Sequence, residues 1–417
     1  ETIYKDILTS FPKSSKALRG YQRIKSMDVV TRPEGSAPSP QQMQAVMALY
    51  NQGQFTEVLS KLDLLLEEFP QVPVLYNLQG SSRAALCMYS TAIDSFKQGL
   101  KLKPNDADIY FNMGNMHKKT GAWDTAILNY ESGLKIKPDF AGVYINLGSV
   151  QHKKGDIKAA IESYKQALKI KPDYAEAYSD MGNALKDSGE LEAAITSYKQ
   201  ALKIKPDYAE AYTNRAHAFL KSGDFALGWQ DYEWRWKISK LSSAPLTTDR
   251  PAWQPQTAGR VLLWSEQGVG DMIMFASIIP ELYECSEQVI VQTDARLIPL
   301  FRRAFPRDIV YCDHTEIIAE NRYDSHIPMG SLPRYFRPDL ASFQKASGAY
   351  LKPDAARAAR LRQNLLGATG QSLCGISWRG GKEATSKARR SIALNQLAQA
   401  LAAQNVTLVN LQYGAVD

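Results

Sequence analysis

Residues 171–204 read KPDYAEAYSDMGNALKDSGELEAAITSYKQALKI, and the stretches on either side repeat the same pattern. Gly121, Gly155, Gly189 and Gly223 recur every 34 residues, as do Pro104, Pro138, Pro172 and Pro206. Tyr110, Tyr144, Tyr178 and Tyr212 keep that register, and so do Tyr130, Tyr164, Tyr198 and Tyr232. Within Lys171–Ile204, Pro172 presets φ for an N-terminus and Asp173 offers an oxygen to the first amides of a helix running to about Asp187. Gly189 then permits a turn that an L-residue resists. Ala194 and Ala201 are small enough for a second helix to lie close to the first, with Tyr198 filling the space between them. The unit is therefore two antiparallel helices.

A 34-residue period with aromatic, Gly, Ala and Pro at fixed offsets resembles the tetratricopeptide repeat (TPR) family, whose units stack into a superhelix. Phe69–Leu102, Lys103–Ile136, Lys137–Ile170, Lys171–Ile204 and Lys205–Ile238 read as full units. A weaker one at Gly35–Glu68 keeps Gly53 and Phe55 in place, making about six. Residues 1–34 form a separate segment with a helical pattern but broken register, and Thr31–Pro40 is the expected break.

Helix A of each unit lines the concave face of such a superhelix. One of its offsets holds Asn112, Asn146, Asp180 and Asn214, and three residues on stand Asn115, Ser149, Asn183 and His217. A spacing of three keeps each pair on one helical face. The row resembles the asparagine ladder in the TPR superhelix of protein O-linked N-acetylglucosamine transferases, which implies that Asn112, Asn146, Asn214, Asn115 and Asn183 bind polypeptide. A carboxamide both donates and accepts, so it can read peptide backbone without demanding a sequence; Asp180, when ionised, only accepts. Asn at this offset also suits TPRs of many kinds. Lys118, Lys119, Lys153, Lys154, Lys186 and Lys221, near the A-helix ends, either complement the helix dipole in solvent or favour an acidic partner. Asp106 and Asp108 imitate a metal-binding Asp-x-Asp but sit at a repeat start, where capping explains them.

The last unit ends in Ala226-Leu-Gly-Trp-Gln-Asp-Tyr-Glu-Trp-Arg-Trp236, predicted as a single helix that caps the solenoid and docks onto the next domain. Three tryptophans on so short a stretch carry too much apolar area to stay in water. A Ser/Thr/Pro-rich connector, 239–259, comes next. Beyond it, strands alternate with helices, which predicts a parallel, helix-covered sheet. Strands are expected at Arg260–Ser265, Gln288–Gln292, Ile309–Cys312 and Asp324–Ile327. Helices are expected at Asp271–Tyr283 and from a cap at Asp294 to Ala304. After a helix at Ala355–Leu366, a second β-α-β unit is expected, with strands Leu373–Trp378 and Val406–Leu411 around a helix Leu394–Ala403.

The first strand runs into Glu266-Gln-Gly-Val-Gly-Asp271, whose glycines let a ligand approach the backbone at a helix N-terminus. A dinucleotide fingerprint would need a third glycine where Ile273 stands. Between Arg379 and Arg390 five basic residues accompany one acid, Glu383, in a loop after a strand. That is a composition suited to a diphosphate, with nucleic-acid contact or plain solvation as the competing readings.

A Gly-x-Gly-Asp turn, a linker helix and a second unit opening Gly375-Ile-Ser-Trp378 before a basic loop together resemble the heptosyltransferase-like glycosyltransferases of GT-B fold. Fused to a TPR array, they resemble bacterial TPR protein glycosyltransferases, flagellin-modifying ones included. The resemblance implies an α-solenoid followed by an α/β Rossmann-like GT-B domain: TPR superhelix 35–238, linker 239–259, acceptor-side half 260–370, and the start of a donor half at 371–417 that stays incomplete. It implies a metal-independent enzyme without resident cofactor that moves sugar from a nucleotide-sugar to Ser or Thr of a polypeptide in the TPR groove, flagellin being the acceptor it suggests. Asp271 is the implied general base, with His326 a second candidate at a strand end facing the cleft. Gly268 and Gly270 are placed at the acceptor site, and Ser377, Arg379, Lys382 and Arg390 at the donor diphosphate. A non-catalytic TPR adaptor, or a transferase acting on lipopolysaccharide or another small saccharide, remain the alternatives.

Composition fits this reading. With 44% hydrophobic and 22% charged residues the chain is neither disordered nor fibrous. Its net charge of +7 is thin for a dedicated nucleic-acid binder. Cys87, Cys285, Cys312 and Cys374 form no Cys-x-x-Cys pair, which points away from zinc and disulfides and toward a reducing compartment, the cytoplasm. No apolar stretch approaches the roughly 20 residues of a membrane helix.

Overall fold

The computed structural model describes residues 37–238, 245–266, 268–344 and 349–366, and the backbone of strands at 372–376 and 406–410. The expected helices at 1–34 and Leu394–Ala403 lie outside these. The chain divides into two compact units, one up to Ile238 and one from Ser239.

The first unit is six helical hairpins: α1 Pro40–Asn51 with α2 Phe55–Glu68, α3 Pro73–Ala85 with α4 Tyr89–Leu102, α5 Ala107–Lys119 with α6 Trp123–Ile136, α7 Ala141–Lys154 with α8 Ile157–Ile170, α9 Ala175–Ser188 with α10 Leu191–Ile204, and α11 Ala209–Ser222 with α12 Phe225–Tyr232. Pro40 does not extend a break. It is the first residue of α1, which Ser39 caps reciprocally with Gln42. Gly155, Gly189 and Gly223 close their A helices at φ of +93°, +89° and +91°. Cys87 takes the same turn position in the second hairpin at φ +61°.

Close contact within each hairpin follows from a Gly–Tyr pair. Tyr130, Tyr164 and Tyr198 are fully buried. Each ring lies so near Gly114, Gly148 or Gly182 that an added Cβ would stand 2.4, 2.8 or 2.6 Å from it. In the last hairpin Ala216 takes the glycine's place against Tyr232.

Asp173 does not cap its helix. Tyr174 is the N-cap of α9 and supplies no side-chain cap. Instead Lys171 lies 4.6 Å over the Tyr174 ring, as Lys137 lies 4.7 Å over Phe140 and Lys205 4.8 Å over Tyr208. The recurring Lys-Pro-Asp-aromatic start is a cation–π clasp. Only in α5, where Asp106 occupies the aromatic's position, does a carboxylate accept from the Ile109 amide, at 3.2 Å.

The tryptophan-rich stretch is not one helix. α12 stops at Tyr232 and Glu233–Lys237 continues as a 3-10 turn. Earlier hairpins hold Gly133, Ala167 and Ala201 where Arg235 stands, and a guanidinium does not fit that contact. The chain tightens there. Buried Arg235 donates to the Tyr232 carbonyl at 3.2 Å and to Glu233 at 2.8 Å. Trp234 then stacks on Tyr212 with ring centroids 3.8 Å apart, and Lys237 covers its other side at 3.8 Å.

The second unit holds a four-stranded parallel sheet of β1 Arg260–Trp264, β2 Gln288–Thr293, β3 Val310–Asp313 and β4 Ser325–Pro328, ordered β3-β2-β1-β4. β1 pairs Leu262 with Ile290 on one side and with His326 on the other. Val261, Leu262, Leu263, Val289, Ile290 and Val291 are buried, as a sheet covered on both faces requires. The expected single helix after β1 is two, α13 Val269–Ala276 and α14 Ile279–Glu284. Pro280 in the first turn of α14 cannot donate to a continuous helix, which explains the break. Asp294 does not cap the next helix, α15 Ile298–Ala304, whose N-cap is Leu297. It binds Arg296 through backbone and guanidinium, and these bonds hold its carboxyl well below the usual range. Further on come α16 Pro333–Phe336, α17 Leu340–Gln344, α18 Ala355–Leu366 and a parallel pair, β5 Ser372–Ile376 and β6 Val406–Asn410.

Candidate functional site

Among the described residues two places gather polar side chains with chemistry to offer. In the first unit the A helices of successive hairpins, α3, α5, α7, α9 and α11, touch one another more closely than the B helices do, so the A row lines the inner face. Along it Asn112 donates to Asn77 at 2.9 Å, and Asn146 donates to the Asn115 carbonyl at 3.1 Å while accepting from Lys118 at 2.8 Å. Asn214, on α11, is half-buried. Asn112 and Asn146 are thus each held by a second carboxamide along this face.

Asn115 and Asn183 have a second role. The Tyr130 hydroxyl donates to Asn115 Oδ1 at 2.8 Å and the Tyr198 hydroxyl to Asn183 Oδ1 at 2.7 Å. Their carbonyls tie helix A to helix B, leaving the amide N–H groups as what they can offer a partner. The signal was available in sequence, because Asn and Tyr recur 15 residues apart in those two units and not where Ser149 or His217 stands.

Asp180 interrupts the amides with a half-buried carboxyl whose pKa burial raises, although Lys118 and His152 pull it down. Burial lowers Lys118 and Lys186, and repulsion from Lys153 and Lys221 respectively adds to this. Nearby, His152 Nε2 lies 2.9 Å from Asp187 Oδ2.

The second place is the carboxyl end of the sheet. In the order β3-β2-β1-β4, chain progression reverses between β1 and β4, and parallel sheets open a crevice at such a point. From β1 it receives Ser265, buried Glu266 and Gly268. From β4 it receives Met329–Ser331, a buried 3-10 turn in contact with α13. Gly268 is the N-cap of α13 and Asp271 stands in its first turn, half-buried, with Oδ2 3.6 Å from where a Gly268 Cβ would be. Asp271 is thus not the cap itself. Gly270 has open space on its Cβ side. Glu266 and the 329–331 turn were not singled out in sequence; buried polar residues directly after a predicted strand are the mark that would have found them.

His326 does not sit at the strand end. It lies inside β4, opposite Leu262, with the Trp264 indole N–H donating to its Nδ1 at 3.1 Å. Its backbone bridges the connector, giving its carbonyl to Trp253 and its amide to Pro251. Burial lowers its pKa, while a hydrogen bond with the Arg250 backbone acts the other way. An imidazole accepting at Nδ1 is neutral with its proton on Nε2. Ser377, Arg379, Lys382 and Arg390 lie outside the described residues. Among the described residues no cluster of His, Cys, Asp and Glu is arranged to hold a metal ion, and no helix is long and apolar enough to cross a membrane.

Residues 88–121, 114–155, 152–189 and 182–223 match the TPR repeat model. Protein FlbA of Caulobacter vibrioides is 30% identical over 206 residues, 45% of this chain, which spans 34% of that protein's length. Among solved structures, MamA covers 37% of this chain and 91% of its own at 24% identity and a TM-score of 0.36. YrrB, a TPR protein with an unusual peptide-binding site, covers 43% of this chain and 92% of its own at 18% identity and a TM-score of 0.38. Pseudomonas aeruginosa pilF covers 48% of this chain and 90% of its own at 14% and 0.43. The helical unit of this protein is an α-solenoid of TPR repeats.

Proposed function

We propose that this protein is a glycosyltransferase acting on polypeptides, in which the TPR groove holds an extended acceptor, flagellin by the family resemblance, and the α/β unit supplies the acceptor side of the transfer site. TPR repeats themselves point to protein–protein interaction. The observation that carries the further step is the placement of Gly268, Gly270 and Asp271 at the strand-order reversal of a parallel sheet. That crevice gives a ligand bare backbone, a helix N-terminus and the half-buried Asp271 carboxylate, with Glu266 buried beside it.

The reaction would run through groups of this chain alone. An acceptor Ser or Thr oxygen attacks the anomeric carbon of a nucleotide-sugar. The bond from that carbon to the nucleotide's phosphate oxygen breaks, and the hydroxyl proton passes to Asp271. Arg379, Lys382 and Arg390, with the Ser377 hydroxyl, would neutralise the charge that builds on the departing nucleotide phosphate. His326 is the poorer base because its Nδ1 lone pair already accepts from Trp264. Titrating ADP-, UDP- and CMP-linked sugars into the full-length protein by calorimetry tests this. One of them should bind with measurable heat. Silence from all would leave the adaptor reading in which the α/β unit only supports assembly.

A further inference from the structure

The groove carries a finer charge pattern, whose meaning rests on that groove being a polypeptide site. His152 on α7 meets Asp187 on α9 at 2.9 Å, so these two positions, 35 residues apart, touch across successive A helices. One repeat earlier the equivalent positions hold Lys118 and Lys153, and one repeat later Lys186 and Lys221. A matched pair is thus flanked on both sides by pairs of like charge. Lys153 stands 5.3 Å over the Trp123 ring, and Lys118 is anchored to the Asn146 carbonyl.

Complementing the helix dipole explains exposed Lys119, and exposed Lys154 pairs with Asp124. The dipole does not explain half-buried Lys118 and Lys186, whose counterparts on the next A helix, Lys153 and Lys221, carry the same charge and repel them. Burial first, and then the neighbouring lysine, hold Lys118 and Lys186 below their ordinary value against the opposite pull of Asp180 and Asp187. The middle layer shows what resolves such a pair: a carboxylate between the two A helices. We propose that Lys118 with Lys153, and Lys186 with Lys221, are two carboxylate-binding positions that select an acidic extended polypeptide for the groove.

The test is fluorescence anisotropy on the whole protein with a labelled peptide of alternating Glu and Gly, its Gln counterpart, and a single-stranded oligonucleotide. The Glu peptide should bind at least about tenfold more tightly than the Gln peptide, the worth of a charge-assisted hydrogen bond. Lys118→Gln/Lys186→Gln should erase that preference, and Lys135→Gln/Lys169→Gln, on B helices, should keep it. Circular dichroism confirms that both variants fold. Equal binding of the two peptides, a preference that survives Lys118→Gln/Lys186→Gln, or tighter capture of the oligonucleotide by the same lysines would overturn the proposal. If the two peptides bind equally and Asn112→Ala/Asn146→Ala releases both, the groove reading stands while this one falls. If neither peptide binds, both fall.

Discussion

The Tyr198 hydroxyl donates to the Asn183 carboxamide oxygen at 2.7 Å, joining the two helices of one TPR repeat from inside. The bond gives an asparagine on the groove row a structural duty. Tyr198→Phe keeps the ring that packs on Gly182 and removes only this bond, so it should cost about 1 kcal/mol. Chemical denaturation reads the change. A loss near zero would mean that the Asn183 carbonyl finds another partner and the bond holds nothing.

Gly182→Ala is expected to cost more. Its Cβ would stand 2.6 Å from the Tyr198 ring, so helices α9 and α10 must separate. Overpacking of this kind costs about 1 to 3 kcal/mol, and the melting temperature should fall accordingly. Gly189→Ala strains the same repeat by another route, forcing an L-residue to φ +89°, and should cost about 1 kcal/mol.

At the far end of the array Arg215 makes a bidentate pair with Asp231 at 2.6 and 2.9 Å, while its guanidinium lies 5.1 Å over Tyr212. Earlier repeats hold Met113, Leu147 and Met181 at that position. Asp231→Ala strands the guanidinium in a largely buried site and should cost about 3 kcal/mol. Hydrogen exchange should show the last repeat opening first, because solenoid stability is a sum over neighbouring units. Uniform loss of protection along the whole array would contradict this.

Asp180 predicts a pH dependence. Burial raises its pKa in the folded protein, so the folded state holds that proton more tightly than the unfolded chain does. Its ionisation therefore opposes folding, and this cost grows as pH rises from the ordinary carboxylate value through the raised folded one. Asp180→Asn should stabilise the protein at neutral pH and make no difference well below pH 3.8. A variant less stable than wild type at pH 7 would show that Lys118 and His152 compensate the carboxylate fully.

The solenoid was legible because its information is periodic: Gly189, Tyr198 and Ala194 each recur every 34 residues, and one unit interprets the rest. Departures from the period were not. Arg235 in an alanine's place converts a helix end into a 3-10 turn, and Lys171 rather than Asp173 secures a helix start, through a ring contact that spacing alone does not reveal. In the α/β unit the strands were visible as short apolar runs. Their order was not, since register and crossover depend on contacts distant in sequence, and so the meeting of β1 with β4 and the turning of His326 onto Trp264 emerge only in three dimensions.

The most direct test of the proposed activity is intact-mass spectrometry of the proteins of cells expressing either the wild-type chain or Asp271→Asn. One acceptor protein should carry an added sugar mass with wild type and lack it with Asp271→Asn, while the variant still co-purifies with that acceptor. Identical masses in the two cell lines would refute the proposed transfer.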